Sequence, residues 1–173
     1  MDIAFLVSKE GIEQAELTEP WKAVEHAGHT PRLVSPEPGK VQAFNHLDPA
    51  DSFDVDVTAG DARPGDYAAL VLPGGVANGD LLRWQPSALE FVRGFAALGR
   101  PIAVICHGGW ILIEADAVRG KRLTSWPSLQ TDFRNAGATW VDEELVVDGN
   151  LISSRKPDDL PAFCQALTKA LDS

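Results

Sequence analysis

The clearest candidates for chemistry are Cys106 and His107, which are neighbours in the stretch PIAVICHGGW. An apolar run ends on the cysteine, and two glycines follow the histidine where the chain must turn. A cysteine at a strand-to-helix turn is predicted to be a nucleophile, because the N–H groups and dipole of the helix lower the pKa of its thiol. The alternative is a buried thiol at the end of a core strand, since free cysteine is among the most buried residue types.

The second cysteine, Cys164, falls within LPAFCQALTKAL, whose apolar spacing is that of an amphipathic helix. We interpret it as core packing. Two cysteines this far apart do not form a disulfide framework, and a reducing compartment keeps both as thiols. The four histidines show no metal-ligand spacing with them, so neither a metal nor another cofactor is predicted.

A second apolar run, YAALVLP, ends on Gly74 and Gly75. If this strand neighbours the one that ends at Cys106, backbone N–H groups from both loops converge on one point and form an oxyanion hole. The role of His107 is less direct, because neighbouring side chains in a helical turn point about 100° apart. The sequence alone therefore does not predict that His107 takes the thiol proton. A structural role, in which the imidazole ring is hydrogen-bonded to a backbone carbonyl group, is supported equally well.

Two acids, Glu13 and Glu16, lie three residues apart, near one face of the first predicted helix. Acids in a first turn often do no more than complement the helix dipole. A carboxyl group beside the thiol would have to be protonated, because two anions in contact repel one another strongly.

Short apolar runs alternate with amphipathic segments, which predicts an α/β fold with a parallel sheet covered on both faces. Ligands bind such sheets at the carboxyl ends of the strands. The predicted strands are 2–7, 30–35, 67–75 and 102–106, with a small antiparallel excursion at 52–58 and a hairpin at 145–154 that turns on residues 148–150. The predicted helices are 13–27, 86–99, 127–137 and 160–171, the last capped by Asp158 or Asp159.

Length and charge limit the classes of function. A chain of 173 residues with 45% hydrophobic residues is predicted to form one domain, 1–173. The 25 acids against 15 Lys and Arg give a formal net charge of −10, which argues against nucleic acid or an anionic membrane as partner. The N-terminal stretch MDIAFLVSKEG lacks the features of a signal peptide, and no stretch approaches a membrane span. A cytoplasmic location is expected.

Four segments together resemble the PfpI family, the intracellular protease I and general-stress proteins of the superfamily that includes the parkinsonism-associated deglycase. They are EQAEL, ALVLPGG, VICHGGWILIEA and LTSWPSLQTDFRNAGATWVDEELVVDGNLISSRKPDDLPAF, and the resemblance covers essentially the whole chain. It implies a flavodoxin-like three-layer sandwich, mostly parallel, with helices on both faces and a nucleophile elbow. It also implies a homodimer or a dimer-based oligomer.

The resemblance assigns roles to individual residues. It implies that Cys106 is the nucleophile on a strained elbow, with Glu16 as a protonated acid hydrogen-bonded to it and Glu13 as a second carboxylate near the pocket. The backbone N–H groups of Gly75 and His107 would be the oxyanion donors. The remaining residues assigned to the backbone or lining of the site are Gly74, Gly108, Trp126 and His46.

The chain also departs from the family pattern. Peptidase-like members complete the site with a glutamate from the partner subunit, but the matching position here is Gly79, in the predicted loop GGVANGDLLR. Asp80 is the only nearby acid, so the departure argues against the intersubunit triad. Trp126 stands where some members have tyrosine, and Gly109 replaces the usual proline.

Three functions are expected from these residues. The first is a cofactor-independent stress enzyme, in which Cys106 attacks methylglyoxal or the adducts that it leaves on protein side chains. The second is an intracellular cysteine peptidase, with His107 and the Asp80 of a partner chain completing a triad. The third is a non-enzymatic redox sensor or holdase that uses oxidation of Cys106.

Overall fold

The computed structural model describes residues 1–173 and is built around a seven-stranded sheet. Its elements in chain order are β1 (Asp2–Leu6), β2 (Glu10–Glu13), α1 (Gln14–His26), β3 (Thr30–Ser35), β4 (Lys40–Asn45), β5 (Asp48–Asp54), β6 (Val57–Thr58), β7 (Ala69–Leu72), α2 (Val76–Arg83), α3 (Pro86–Ala96), β8 (Ile102–Ile105), α4 (Trp110–Glu114), β9 (Arg122–Leu123), α5 (Gln130–Asn135), β10 (Thr139–Trp140), β11 (Val146–Asp148), β12 (Leu151–Ser154) and α6 (Leu160–Leu171).

The strand order of the large sheet is β11-β12-β8-β7-β1-β3-β6. Every neighbouring pair is parallel except β11 and β12, which form the predicted hairpin. Both β7 and β8 are buried along their whole length, as their continuously apolar sequences require in a sheet covered on both faces. The predicted flavodoxin-like α/β fold is confirmed.

Helices cover both faces of the sheet because alternate strand residues point to opposite sides. On one side, α1 and α6 pack on a core that includes Phe5, Val71 and Ile105. On the other side, α2, α3, α4 and α5 pack on a core that includes Leu70 and Val104. The longest helix has 13 residues, and none combines the length and apolar character that a membrane crossing would need.

Three predictions need correction. The predicted loop after Gly75 is the helix α2. The predicted antiparallel excursion at 52–58 is divided between two sheets: residues 48–54 pair with β4 in a separate sheet, β2-β4-β5, whereas Val57–Thr58 extend the edge of the large sheet. Asp159 occupies the N-cap position of α6, but its side chain does not cap the helix. The carboxylate instead accepts hydrogen bonds from the guanidinium and backbone N–H of Arg155.

Candidate active site

The nucleophile elbow forms at the carboxyl ends of β7 and β8, which are neighbours as the oxyanion-hole prediction required. Ile105 is still extended, but Cys106 adopts a φ of 60°, and a tight turn of residues 106–109 follows at once. The left-handed region is costly for a residue with a Cβ atom, so this backbone is strained. The strain turns the chain so that the thiol stands at the end of the strand.

Glycines allow the two loops to meet. A Cβ atom on Gly74 would overlap the Glu16 carboxylate and lie 2.6 Å from the Cβ atom of Cys106. A Cβ atom on Gly108 would lie 2.5 Å from the carbonyl oxygen of Leu72. The absence of side chains at these two positions therefore brings the backbone, the thiol and the carboxyl group into contact.

Asn78, which sequence reasoning did not single out, holds the glycine loop in place. Its buried side chain donates to the carbonyl oxygens of Pro73 and Gly74, at 3.0 and 3.1 Å, and accepts from the N–H of Ser8 at 2.7 Å. Its position four residues after Gly74 was the only sequence signal, and it became meaningful only once this segment proved to be helical.

Glu16, on the first turn of α1, is completely buried beside Cys106. Neither carboxyl oxygen has a hydrogen-bond partner with ordinary geometry, although the Cys106 thiol and the Gly74 N–H lie next to the group. Burial, and then the charge of Glu13, raise the pKa of Glu16 to about 8. The group is therefore mostly protonated at neutral pH.

The Cys106 thiol is buried as well, and this overturns the prediction that its pKa is lowered. Burial raises the pKa most, followed by the charge of Glu16, while the N–H groups of Gly75 and His107 act in the lowering direction. The helix dipole does little to lower the pKa of the thiol, because only a tight turn and the five-residue α4 follow the cysteine. The two N–H groups nevertheless converge on the sulfur, where the oxyanion donors were expected.

Cys106 and Glu16 therefore titrate as a pair. When the pair holds one proton, that proton lies either on sulfur or on the carboxyl group, and the total charge is the same in both cases. Burial consequently does not oppose movement of the proton from sulfur to carboxylate. With the proton on Glu16, the thiolate accepts hydrogen bonds from the carboxyl O–H and from two backbone N–H groups, which favour its charge.

The His107 ring lies closer to the thiol than predicted, with Nδ1 3.2 Å from the Cys106 sulfur. The expectation of diverging side chains is wrong because Cys106 is left-handed rather than helical. Burial lowers the pKa of His107 to about 4, so the ring is neutral at pH 7. The Trp126 ring stacks on it at 5.8 Å, and the Trp110 ring lies 5.4 Å away.

The site opens into a cleft of about 670 Å³. All the residues that the sequence assigned to the site line this cleft, with the exception of Gly74 and Gly108. The lining residues not foreseen are Glu10, Gly11, Phe44, Leu47, Val76, Ala77, Trp110 and Pro157. Trp110 could have been found, because it follows His107 by three residues; Glu10 and Phe44 could not, because β2 and β4 were not predicted.

Glu13 and Asp80, two of the acids that line the cleft, have different partners. Glu13 is mostly buried and accepts the backbone N–H of His46 at 3.2 Å, and the exposed His46 imidazole lies 3.8 Å from it. Asp80 is paired with Arg83 at 2.8 Å and is not hydrogen-bonded to His107 within the chain. Gly79 is buried, and a Cβ atom there would overlap the His107 carbonyl oxygen.

No group of three or more His, Cys, Asp or Glu side chains is arranged to hold a metal ion. The chemistry that this arrangement supports is covalent attack by Cys106 on an electrophilic carbon, with Glu16 and His107 as proton carriers and two backbone N–H groups facing the reacting centre.

Comparisons with known proteins found relatives that match nearly the whole chain. A family model described as DJ-1/PfpI matches residues 1–170. Deglycase PH1704 of Pyrococcus horikoshii is 39% identical over 171 residues, 99% of each chain. Protein/nucleic acid deglycase 2 of Escherichia coli is 38% identical over 162 residues, 93% of this chain and 92% of the relative.

A solved structure from Anabaena variabilis is similar with a TM-score of 0.93 and 34% identity. It is described as a two-domain protein with DJ-1/ThiJ/PfpI-like and ferritin-like domains. The alignment covers 99% of this chain and 50% of that one, so this chain spans half the length of that protein.

Proposed function

Because the chain belongs to the DJ-1/PfpI family, we propose that it is a cofactor-independent enzyme that converts methylglyoxal to lactate and hydrolyses the adducts that methylglyoxal leaves on protein side chains. One observation carries the proposal: the Cys106 thiol stands on a left-handed elbow between a buried, protonated Glu16 and the N–H groups of Gly75 and His107. The two relatives named as deglycases support the same class of reaction.

The first step forms a carbon–sulfur bond. When the pair holds one proton, on Glu16, the Cys106 thiolate adds to the aldehyde carbon of methylglyoxal. The carbonyl oxygen takes that proton and becomes the hydroxyl of a hemithioacetal. The N–H groups of Gly75 and His107 stabilise the negative oxygen while it forms. With a protein adduct as substrate, the thiolate displaces the amine or thiol, which leaves with that proton, and the same hemithioacetal results.

The second step moves hydrogen within the bound intermediate. A base, Glu16 or His107, removes the proton from the carbon bonded to sulfur, and a proton is returned to the neighbouring carbon. The hydroxyl proton on the first carbon's oxygen moves to the carbonyl oxygen of the second carbon. The first carbon is oxidised to a thioester as the second is reduced to an alcohol, so no external oxidant or reductant is needed. Water then hydrolyses the thioester, releasing lactate and restoring Cys106.

The test is consumption of methylglyoxal without glutathione, with lactate measured, for the wild type, Cys106→Ser and Glu16→Gln. Cys164→Ser is the matched control, because it removes a thiol outside the cleft. We expect both site variants to lose more than about 1,000-fold in turnover, while Cys164→Ser retains wild-type activity. A wild type that forms no lactate while Cys106 is reduced would refute the proposal.

The peptidase and sensor hypotheses have less support. A catalytic triad needs a carboxylate hydrogen-bonded to His107, but Asp80 is paired with Arg83. The Asp80 of a partner copy would have to provide this carboxylate, in the homodimer that the family resemblance implies. Asp80→Ala abolishing peptide cleavage would favour the peptidase. A redox sensor needs a readily ionised thiol, whereas burial raises the pKa of Cys106. Oxidation of Cys106 faster than an exposed thiol would favour the sensor.

A further inference from the structure

The cleft is lined by negative charge. Its ionisable residues other than Cys106 are Glu10, Glu13, Glu16, Asp80, His46 and His107, and neither lysine nor arginine is among the lining residues. Arg83 offsets Asp80 from outside the lining, and His46 lies 3.8 Å from Glu13, too far for a strong pair. Glu10 forms no ion pair. Because Glu16 is mostly protonated and Asp80 is paired, Glu10 and Glu13 give the space in front of the thiol its net negative charge at neutral pH.

The innermost acid has unused hydrogen-bonding capacity. Both carboxyl oxygens of Glu16 are buried without a partner of ordinary geometry and belong to the wall of the cleft. A buried acceptor of this kind is costly unless a ligand supplies a donor. A ligand that brings an N–H group satisfies it, whereas an anion is repelled by the charge of the neighbouring Glu13.

The lining of the cleft also includes two tryptophans, Trp110 and Trp126. The indole faces of tryptophan attract cations, and the structure contains one such contact, since the Arg83 guanidinium lies 4.6 Å above the centre of the Trp110 ring. Trp126 also lines the cleft and is 39% exposed, but no cation of the chain lies over its ring. It is the indole in the cleft that remains available to a ligand.

From these observations we propose that the cleft selects carbonyl adducts that carry a positive charge, such as those on guanidinium or ammonium groups, over neutral ones, and rejects anionic carbonyl compounds. Glu13 and Trp126 are the specificity-determining residues, acting through charge and through the indole face. The inference rests on the proposed function for its substrate class, but the charge preference itself is a property of the cleft that can be measured without turnover.

The first experiment labels Cys106 in a Cys164→Ala background with two methanethiosulfonate reagents, one bearing trimethylammonium and one bearing sulfonate. The cationic-to-anionic rate ratio is divided by the same ratio for 2-mercaptoethanol, which removes the intrinsic difference between the reagents. We expect a corrected ratio of about ten or more at low ionic strength, declining with added salt. A corrected ratio of one or below overturns the inference.

The variants assign the preference to residues. Glu13→Gln should lower the corrected ratio about threefold or more, and Trp126→Leu should slow the cationic reagent without speeding the anionic one. Glu90→Gln, which removes an exposed acid of α3 outside the cleft, is the matched control and should leave the ratio unchanged. An equal decrease in Glu90→Gln and Glu13→Gln would show that net charge alone is responsible and would overturn the assignment to the cleft.

The second experiment measures kcat/KM for methylglyoxal hemithioacetals of thiocholine, 2-mercaptoethanol and 3-mercaptopropionate, which are cationic, neutral and anionic. We expect the order cationic, neutral, anionic. Equal turnover of all three overturns the inference and leaves the proposed function standing. No turnover of any, together with charge-selective labelling, refutes the proposed function and supports the inference about the cleft.

Discussion

Cys106 follows β8 directly in a left-handed conformation, whereas Cys164 lies in the middle of the regular helix α6, half-buried against the core shared with α1. Burial raises the pKa of both thiols, that of Cys164 to about 11 with a contribution from Glu19. Exposure favours Cys164, since Cys106 is the more buried of the two. Burial and exposure therefore do not make Cys106 the better nucleophile.

The two thiols differ in what surrounds the sulfur. Cys106 has a carboxyl group that can take its proton, an imidazole nitrogen at 3.2 Å and two backbone N–H groups. The backbone N–H groups around Cys164 are engaged in the helix, and its one carboxylate neighbour, Glu19, is half-exposed and contacts Lys22. Reactivity here depends on where the proton can go and on which donors receive the charge.

The largest expected effect concerns the rate of alkylation by iodoacetamide as a function of pH. The Cys106 rate should rise through about pH 8, where the pair loses its first proton, whereas the Cys164 rate should rise towards about pH 11. In Glu16→Gln the only titrating proton is on the buried sulfur, so the Cys106 rate at pH 8.5 should fall at least about tenfold. Mass spectrometry of the labelled peptides separates the two sites.

Glu19→Gln is the matched control for that experiment, because it removes the carboxylate near Cys164 and should leave the Cys106 profile unchanged. If Glu16→Gln alkylates at Cys106 as fast as the wild type, the shared proton does not activate the thiol, and the contrast between the two cysteines disappears.

An intermediate effect is expected from the close approach at the elbow. Gly74→Ala places a methyl group against Cys106 and Glu16 and should lower the free energy of unfolding by about 1–3 kcal/mol, with slower alkylation of Cys106 and no change at Cys164. Gly65→Ala is the control, since its Cβ atom would point into open space. Urea unfolding measures both variants, and equal stability would contradict the packing described here.

The last effect is the pH dependence of stability that Glu16 imposes. The unfolded chain releases this proton near the ordinary pKa of 4.5, but the folded protein holds it to about pH 8, so stability should fall as pH rises across that interval. The urea midpoint of the wild type should therefore carry a component that declines between pH 5 and pH 8. Glu16→Gln should lack that component, while Glu19→Gln should keep it.

Local signals were enough to predict much of the fold. The strands β1, β3, β7 and β8, the hairpin and the helices α1, α3 and α6 were predicted with boundaries within a few residues, because apolar periodicity and terminal glycines are properties of adjacent residues. The strand β2 was missed because its sequence, EGIE, becomes a strand only by pairing with β4, about thirty residues away. The helix α2 contains Asn78 and Gly79, which are poor helix formers, and it is held by contacts of its buried side chains.

The sequence by itself determined the class of fold and identified Cys106 as the residue to examine, because a buried strand ending in Cys-His-Gly-Gly is a local pattern and the family resemblance added Glu16. Only the tertiary structure decided the protonation of the site and the composition of the cleft. Burial, which raises the pKa of Glu16 and Cys106 and lowers that of His107, is the sum of contacts from many elements. The aromatic and acidic residues of the cleft come from segments far apart in the chain, and no local pattern records that they meet.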